Sequence, residues 1–169
     1  MSHHTVTMKG NPFKLEGTLP EIGKPAPDFT AAANNLTPFT LSSLKGKTVI
    51  LSAVPSLDTP VCDIETRRFN KEAAGLGDDV VVVTVSMDLP FAQARWCGAA
   101  GIDRVTTVSD YNQAEFGKKY GVLIAPLRLL ARAVFVVDAK GILRYVQLVP
   151  EVGQEPDYAA VLAAVKAAQ

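Results

Sequence analysis

The run from Val80 to Ser86 limits the fold of this chain more than any other segment. Its residues, Val-Val-Val-Val-Thr-Val-Ser, are apolar on both faces of an extended strand, so both faces need cover. Strands of this kind lie at the centre of parallel sheets, between layers of helices. A second apolar run, Thr48–Val54, precedes it, and a helix is predicted between them at about 62–74. The helical spacing is carried by Ile64, Arg68, Phe69 and Ala73. The pattern predicts an α/β fold.

The remaining segments extend this alternation of strands and helices. Helices are predicted at 90–97, ended by Gly98 and Gly101, at 112–120, and from Pro156 to the C-terminus. Strands are predicted at 105–108, 133–137 and 142–149, the last two as an antiparallel hairpin. Residues 1–16 predict a terminal tail and a small β-hairpin that breaks at 10–12, and residues 17–40 a loop with one short strand near Phe29. Residues 1–169 are therefore expected to form one thioredoxin-like α/β domain, with a central mixed sheet, flanking helices and an N-terminal β-hairpin.

Charge and composition exclude several classes of function. Seventeen basic and seventeen acidic residues cancel, so no overall field favours nucleic acid or an anionic membrane. No apolar run is long enough to span a bilayer, and the first residues lack a secretory pattern, so we expect a cytoplasmic protein. The segment 45–48 lacks the earlier glycine of a phosphate loop. We expect neither a cofactor nor a metal.

The segment from Pro55 to Cys62, Pro-Ser-Leu-Asp-Thr-Pro-Val-Cys, joins the first strand to the first helix. A cysteine at a helix start lies among unpaired backbone N–H groups at the positive end of the helix dipole. Such surroundings lower the pKa of a thiol from about 8.5 and favour the nucleophilic thiolate. Pro55 and Pro60 stiffen the approach, and the Thr59 hydroxyl can both donate to and accept from a group held at the sulfur. The alternative is that Cys62 is a small buried hydrophobe.

The spacing Pro-x-x-x-Thr-x-x-Cys in this segment resembles the active-site motif of the peroxiredoxins. Three further blocks, 66–70, 90–98 and 130–138, look like the bacterial thiol peroxidase branch of that family, and the similarity spans most of residues 10–168. The resemblance implies a peroxiredoxin fold and a peroxidase for hydrogen peroxide and alkyl hydroperoxides, active in antioxidant defence. It implies that Cys62 reacts with peroxide and that Cys97 resolves the product as an intramolecular disulfide. It also implies that thioredoxin is the reductant and that the protein is a homodimer. The loop 122–130 is shorter than this family leads us to expect.

The chemistry of the side chains suits these roles. Attack on a peroxide needs a thiolate, and it needs hydrogen-bond donors on the oxygens as charge moves to the departing one. Arg132 matches the family's arginine position, keeps its charge and presents several N–H donors. Without the resemblance, Arg132 would be interpreted as a charged surface residue, and Arg128 is a nearby alternative. Thr59 can orient the peroxide, and Pro55 can shield the sulfur from water. Asp63 and Glu65 are expected to be first-turn partners of the helix dipole, whose charges oppose the thiolate.

The two cysteines do not lie close together in the expected fold. Cys62 is at a helix start and Cys97 is about two turns into the next helix, so their Cα atoms should be more than about 7 Å apart, beyond the reach of a disulfide. Bond formation then requires local unwinding, which Gly98 and Gly101 make easier. Two other classes remain open: a thiol–disulfide oxidoreductase, which normally carries its two cysteines on one helix start, and a binding or scaffold domain that needs neither cysteine.

Overall fold

A computed structural model describes residues 4–169, so residues 1–3 of the predicted tail lie outside the described residues. The helices are α1 (Pro60–Leu76), α2 (Pro90–Ala100), α3 (Glu115–Lys119) and α4 (Tyr158–Ala168). The strands are β1 (Thr5–Met8), β2 (Asn11–Lys14), β3 (Thr30–Ala33), β4 (Pro38–Thr40), β5 (Thr48–Ala53), β6 (Val80–Ser86), β7 (Val105–Ser109), β8 (Leu123–Ile124), β9 (Leu129–Leu130), β10 (Ala133–Val137) and β11 (Leu143–Leu148). None of the helices in this part of the chain is long and apolar enough to cross a membrane.

The predicted central strand is confirmed with its bounds. β6 lies between β5 and β7 and is parallel to both, in a seven-stranded sheet of order β11-β10-β5-β6-β7-β3-β4. The sheet is mixed, because β10 runs antiparallel to β5 and β3 runs antiparallel to β7. The α/β thioredoxin-like architecture predicted from the sequence is therefore confirmed.

Each face of the sheet has its own core. On one face, β5, β6 and β10 contribute residues such as Ile50, Val82 and Val134, which pack with residues of α1 and α4. The opposite face contributes residues such as Leu51 and Phe135, packed with residues of α3 and the N-terminal hairpin. Side chains of neighbouring strand residues thus enter different cores, as the alternation of a strand requires.

Several boundaries differ from the sequence prediction. α1 begins two residues earlier than predicted, which places Cys62 inside its first turn. α2 continues through Gly98 to Ala100 and is capped by Gly101, which adopts the left-handed conformation with φ of 69°. α3 is shorter than the predicted 112–120, since Ala114 is itself left-handed with φ of 53°. A single glycine within a helix was therefore less disruptive than predicted, because it costs only about 1 kcal/mol relative to alanine.

The loop regions contain more structure than the sequence indicated. The N-terminal hairpin turns at Lys9 and Gly10, both with positive φ, so residues 11 and 12 belong to β2 and not to the turn. The loop-rich segment 17–40 supplies two strands, β3 and β4, which extend the central sheet. The loop 122–130 carries a small antiparallel ladder between β8 and β9.

Candidate active site

The segment Pro55–Cys62 connects the end of β5 to the start of α1. Thr59 is the N-cap, and Pro60 occupies the first turn of the helix. The helical hydrogen bonds begin with the Asp63 N–H, which donates to the Thr59 carbonyl over 2.9 Å. The N–H of Cys62 precedes this bond and belongs to the open donors of the helix end. The helix start thus offers the sulfur a positive dipole end and a free backbone donor.

The sulfur of Cys62 lies in an apolar shell with one cationic donor. Cys62 is fully buried, packed with Val54 and Leu57 under the half-buried Trp96. Arg132, also buried, donates from Nη2 to the Cys62 sulfur over 3.2 Å. A charge-assisted hydrogen bond in a water-poor shell stabilises a thiolate more strongly than the same bond in water.

The sheet directs Arg132 to this position. Arg132 directly precedes β10 and lies two residues before Val134, so the two side chains point to the same face of the sheet. The side chain of Val134 enters the core beneath α1 and α4. Val134 pairs with Ser52 on β5, the strand that leads to Cys62. The guanidinium therefore lies between the sheet and the first turns of α1. Arg128, the alternative arginine, is exposed beyond a short 3-10 turn.

Glu65 completes a buried ionic network and was wrongly predicted from the sequence. Its carboxylate pairs with Arg132 Nη1 at 2.5 Å, and the side chains are 0% and 2% exposed. The Ser52 hydroxyl donates to its other oxygen over 2.9 Å. Of the two acids expected at the helix dipole, only Asp63 is partly exposed, where it pairs with Arg67. Burial is the largest influence on Glu65 and raises the pKa of its carboxyl group.

The face that α1 buries explains this error. Ile64 was among the residues used to predict the helix from its spacing, but Ile64 is 51% exposed. The buried positions of the helix are Cys62, Glu65, Thr66, Phe69 and Ala73. The spacing of Cys62, Phe69 and Ala73 predicts this face, and Glu65 falls on it. A charged residue on the inner face of a helix is the signal that indicates a buried partner.

Arg132 is held in place through hydrogen bonds from three different nitrogens of its own guanidinium group. Besides its bonds to Cys62 and Glu65, its Nε donates to the Val152 carbonyl over 2.9 Å. Burial opposes the charge of the guanidinium, but its interactions with Glu65 and with Cys62 outweigh this effect and raise the pKa of Arg132. The arginine is therefore a fixed cation in the described structure.

Removal of the Glu65 carboxylate is expected to destabilise the fold strongly. Glu65→Ala leaves the buried charge of Arg132 without its main partner, so we expect the free energy of unfolding to fall by about 3–5 kcal/mol. Urea denaturation measures this change. The matched control is Glu72→Ala on the same helix, because Glu72 pairs with Arg68 at the surface and should cost less than about 1 kcal/mol. Equal losses in the two variants would contradict the description of this network.

The structure shows how the other two predicted residues of the segment lie. Pro55 is buried at the start of the segment. The Thr59 hydroxyl donates to the Ser56 carbonyl over 2.7 Å. Because a hydroxyl has one hydrogen and two lone pairs, Thr59 retains acceptor capacity on its oxygen. A ligand with an O–H group can donate to it.

Asp88 anchors the same segment and was absent from the sequence candidates. It follows the carboxyl end of β6 and accepts from the Ser56 hydroxyl at 2.6 Å, the Leu57 N–H at 2.8 Å and the Ser86 hydroxyl at 2.7 Å. Parallel strands end at the same edge of a sheet, so an acid directly after β6 should lie near a loop directly after β5. That rule could have identified Asp88 from the sequence.

Cys97 lies on α2 and contacts a different part of the sheet. Its sulfur is 3.5 Å from the hydroxyl of Thr107 on β7, and that hydroxyl donates its hydrogen to the Asn34 side-chain oxygen over 3.2 Å. The preceding residue, Trp96, packs against the Cys62 shell. Both cysteines are free thiols, and Cys97 is partly exposed. The need for local unwinding before disulfide formation stays a prediction.

The described residues provide a nucleophile and donors for a small polar substrate. A buried sulfur, a fixed guanidinium and a helix N-terminus together can stabilise a thiolate and then the negative charge on a leaving oxygen. Within residues 4–169, no group of three or more His, Cys, Asp or Glu side chains is arranged to hold a metal ion.

Comparisons with known proteins give consistent similarities. The Redoxin family model matches residues 21–162. A thiol peroxidase of Oceanobacillus iheyensis is 55% identical over 157 residues, covering 93% of this chain and 95% of that protein. A thiol peroxidase of Bacillus subtilis is 52% identical over 162 residues, with 96% of each chain covered.

Solved structures show the same overall architecture. The crystal structure of a peroxiredoxin-like protein from Aquifex aeolicus has a TM-score of 0.91 and 43% identity, with 100% of both chains covered. A thiol peroxidase from Chromobacterium violaceum has a TM-score of 0.87 at 19% identity, covering 99% of this chain and 98% of that one, and at this identity the likeness shows the fold alone. The similarity extends over nearly the whole length of each protein.

Proposed function

The chain belongs to the Redoxin family and, within it, to the thiol peroxidases, and from this we propose that it reduces hydrogen peroxide and alkyl hydroperoxides through the Cys62 thiolate. The observation that supports this most directly is the bond of 3.2 Å from Arg132 to the buried Cys62 sulfur. In the proposed step, sulfur attacks one peroxide oxygen, an S–O bond forms and the O–O bond breaks. The other oxygen leaves with the electron pair and takes a proton, and Cys62 becomes a sulfenic acid.

The groups around the Cys62 sulfur have separate roles in this step. Arg132 stabilises the thiolate and donates to the peroxide oxygens, and the Cys62 N–H adds a second donor. Thr59 accepts from the peroxide O–H, since its own hydrogen is donated to Ser56. Pro55 limits access of water to the sulfur. A shallow depression at the start of α1 is lined in part by Leu57, Thr59 and Trp96. Because the sulfur is covered, a peroxide reaches it from this depression only when Leu57 or Trp96 moves.

The sulfenic acid is then resolved within the same chain. The Cys97 thiol attacks the Cys62 sulfur, an S–S bond forms, and the hydroxyl leaves as water with the thiol proton. This step requires the end of α2 to separate from α1, including the bond of 3.2 Å that Arg67 Nη1 donates to the Ala100 carbonyl. We further propose thioredoxin as the reductant of the disulfide, a homodimer as the assembled state and the cytoplasm as the location.

Cys97→Ser is expected to separate the two chemical steps. The variant should keep the first reaction with peroxide, because Cys62 and its partners are unchanged, but lose recycling by thioredoxin. Rapid-mixing measurement of one turnover and a coupled reductase assay follow these two quantities.

Mass spectrometry of the wild type after one equivalent of peroxide should find the Cys62–Cys97 bond within one chain. A purely intermolecular bond, or loss of the first turnover in Cys97→Ser, would contradict this scheme.

A further inference from the structure

We propose that Glu151 and the N-terminal hairpin act together as a positioning device for the Arg132 guanidinium, an inference that rests on the proposed function of Arg132. The hairpin consists of β1, β2 and the turn at Lys9 and Gly10. Glu151 lies in the segment 149–153 that follows β11, which we call the return segment. Nothing in the peroxide chemistry itself requires the hairpin, which lies at the N-terminal end of the chain.

The return segment holds Arg132 at two points. The Arg132 Nε donates to the Val152 carbonyl over 2.9 Å, and the Arg132 carbonyl accepts from the Val149 N–H over 3.0 Å. The Val152 carbonyl therefore fixes Nε of the guanidinium, while Nη1 and Nη2 bind Glu65 and Cys62. A movement of this carbonyl changes the direction of the nitrogen that donates to the sulfur, because the guanidinium is rigid and planar.

Glu151 fixes the peptide plane that contains this carbonyl. The Val152 carbonyl and the Gly153 N–H belong to one trans peptide unit, in which the two groups point in opposite directions. The Gly153 N–H donates to Glu151 Oε1 over 3.2 Å. A carboxylate bound on one side of the plane thus directs the carbonyl on the other side toward Arg132.

The hairpin in turn fixes the Glu151 carboxylate. The Thr7 hydroxyl donates to Oε2 over 2.5 Å, and the N–H groups of Lys9 and Gly10 donate over 3.1 and 3.4 Å. These bonds, the Thr7 hydroxyl first, hold the pKa of Glu151 below its usual range, so the carboxylate is ionised at neutral pH. Thr7 also exchanges backbone bonds of 2.8 Å with Pro150 and Val152. Val6 of β1 and Leu15, the residue directly after β2, anchor the hairpin in the core.

The test compares Glu151→Ala, Glu151→Gln and Thr7→Val with the control Thr5→Val, an exposed threonine on the same strand. In Glu151→Ala we expect the rate constant of Cys62 with hydrogen peroxide to fall by about 2- to 30-fold. The pH at which the Cys62 thiolate appears, followed by its ultraviolet absorbance, should move upward. Glu151→Gln and Thr7→Val, which keep most contacts, should show the same changes to a smaller extent, and Thr5→Val should match the wild type.

The outcomes separate this inference from the proposed function. If Glu151→Gln and Thr7→Val fold but match Thr5→Val in both measurements, the inference is wrong. A lower rate without a change in the thiolate titration also overturns it, since a general loss of structure would explain the rate alone. If the wild type does not reduce peroxide, the proposed function fails, and the thiolate titration still decides whether the hairpin acts on Arg132.

Discussion

Cys62→Ser is expected to reduce the peroxidase rate to background, a loss on the order of 10⁴-fold or more. The serine hydroxyl is not ionised near neutral pH, so the bond from Arg132 then stabilises a neutral oxygen that cannot attack a peroxide. The change is nearly isosteric, and the apolar shell of Val54, Leu57 and Trp96 remains filled. Loss of activity should therefore occur without loss of the fold.

Peroxide consumption in a single turnover, without added reductant, measures this loss, and circular dichroism checks the fold. Cys97→Ser provides the matched control, because it removes the other thiol of the chain and leaves the first turnover intact. Peroxide reduction by Cys62→Ser at a measurable fraction of the wild-type rate would show that another group attacks the peroxide, and the assignment of the nucleophile would be wrong.

Arg132→Lys is expected to lower the rate constant with peroxide by about 10²- to 10³-fold. Lysine keeps the positive charge, which limits the damage to Glu65, but a single ammonium group cannot reach Glu65, Val152 and the Cys62 sulfur together. The guanidinium serves all three through different nitrogens. The loss is thus a loss of geometry more than of charge.

The matched control for this variant is Arg128→Lys, at an exposed position four residues away in the sequence. It should keep the wild-type rate. Single-turnover kinetics at several pH values measure both variants, and the onset of reactivity should move to higher pH only in Arg132→Lys. Equal rates in the two variants would show that charge alone is needed, or that Arg132 has no part in the reaction.

The sequence correctly predicted those strands and helices that are determined by the pattern of their own residues. β6 is apolar on both faces and could only be a central strand, and its bounds were correct. Helix ends were less certain, because packing against the sheet decides whether a helix continues through a residue such as Gly98. The turn of the N-terminal hairpin was displaced because Lys9, a residue with a Cβ, adopts a positive φ.

The candidate site depends on contacts that no local pattern contains. Cys62 was predicted from its own segment, whereas Arg132 was selected only through a family resemblance. Glu65 was assigned to the helix dipole because its partner, Arg132, is 67 positions away in the sequence. The position of Asp88 could have been inferred from the parallel order of β5 and β6, whereas that of Val152 depends on the path of the return segment, which becomes apparent only in three dimensions.

Trp96 has a practical consequence for following the reaction. It is the single tryptophan of the chain, its ring packs on the shell of Cys62, and the Arg67 guanidinium lies 5.9 Å from the ring centroid. Its neighbour in the helix is Cys97, so the proposed rearrangement that joins the two cysteine sulfurs is expected to move the indole away from its apolar cover and toward water. The intrinsic fluorescence of this one residue therefore provides an unlabelled optical signal for opening and closing, separable in time from the consumption of substrate.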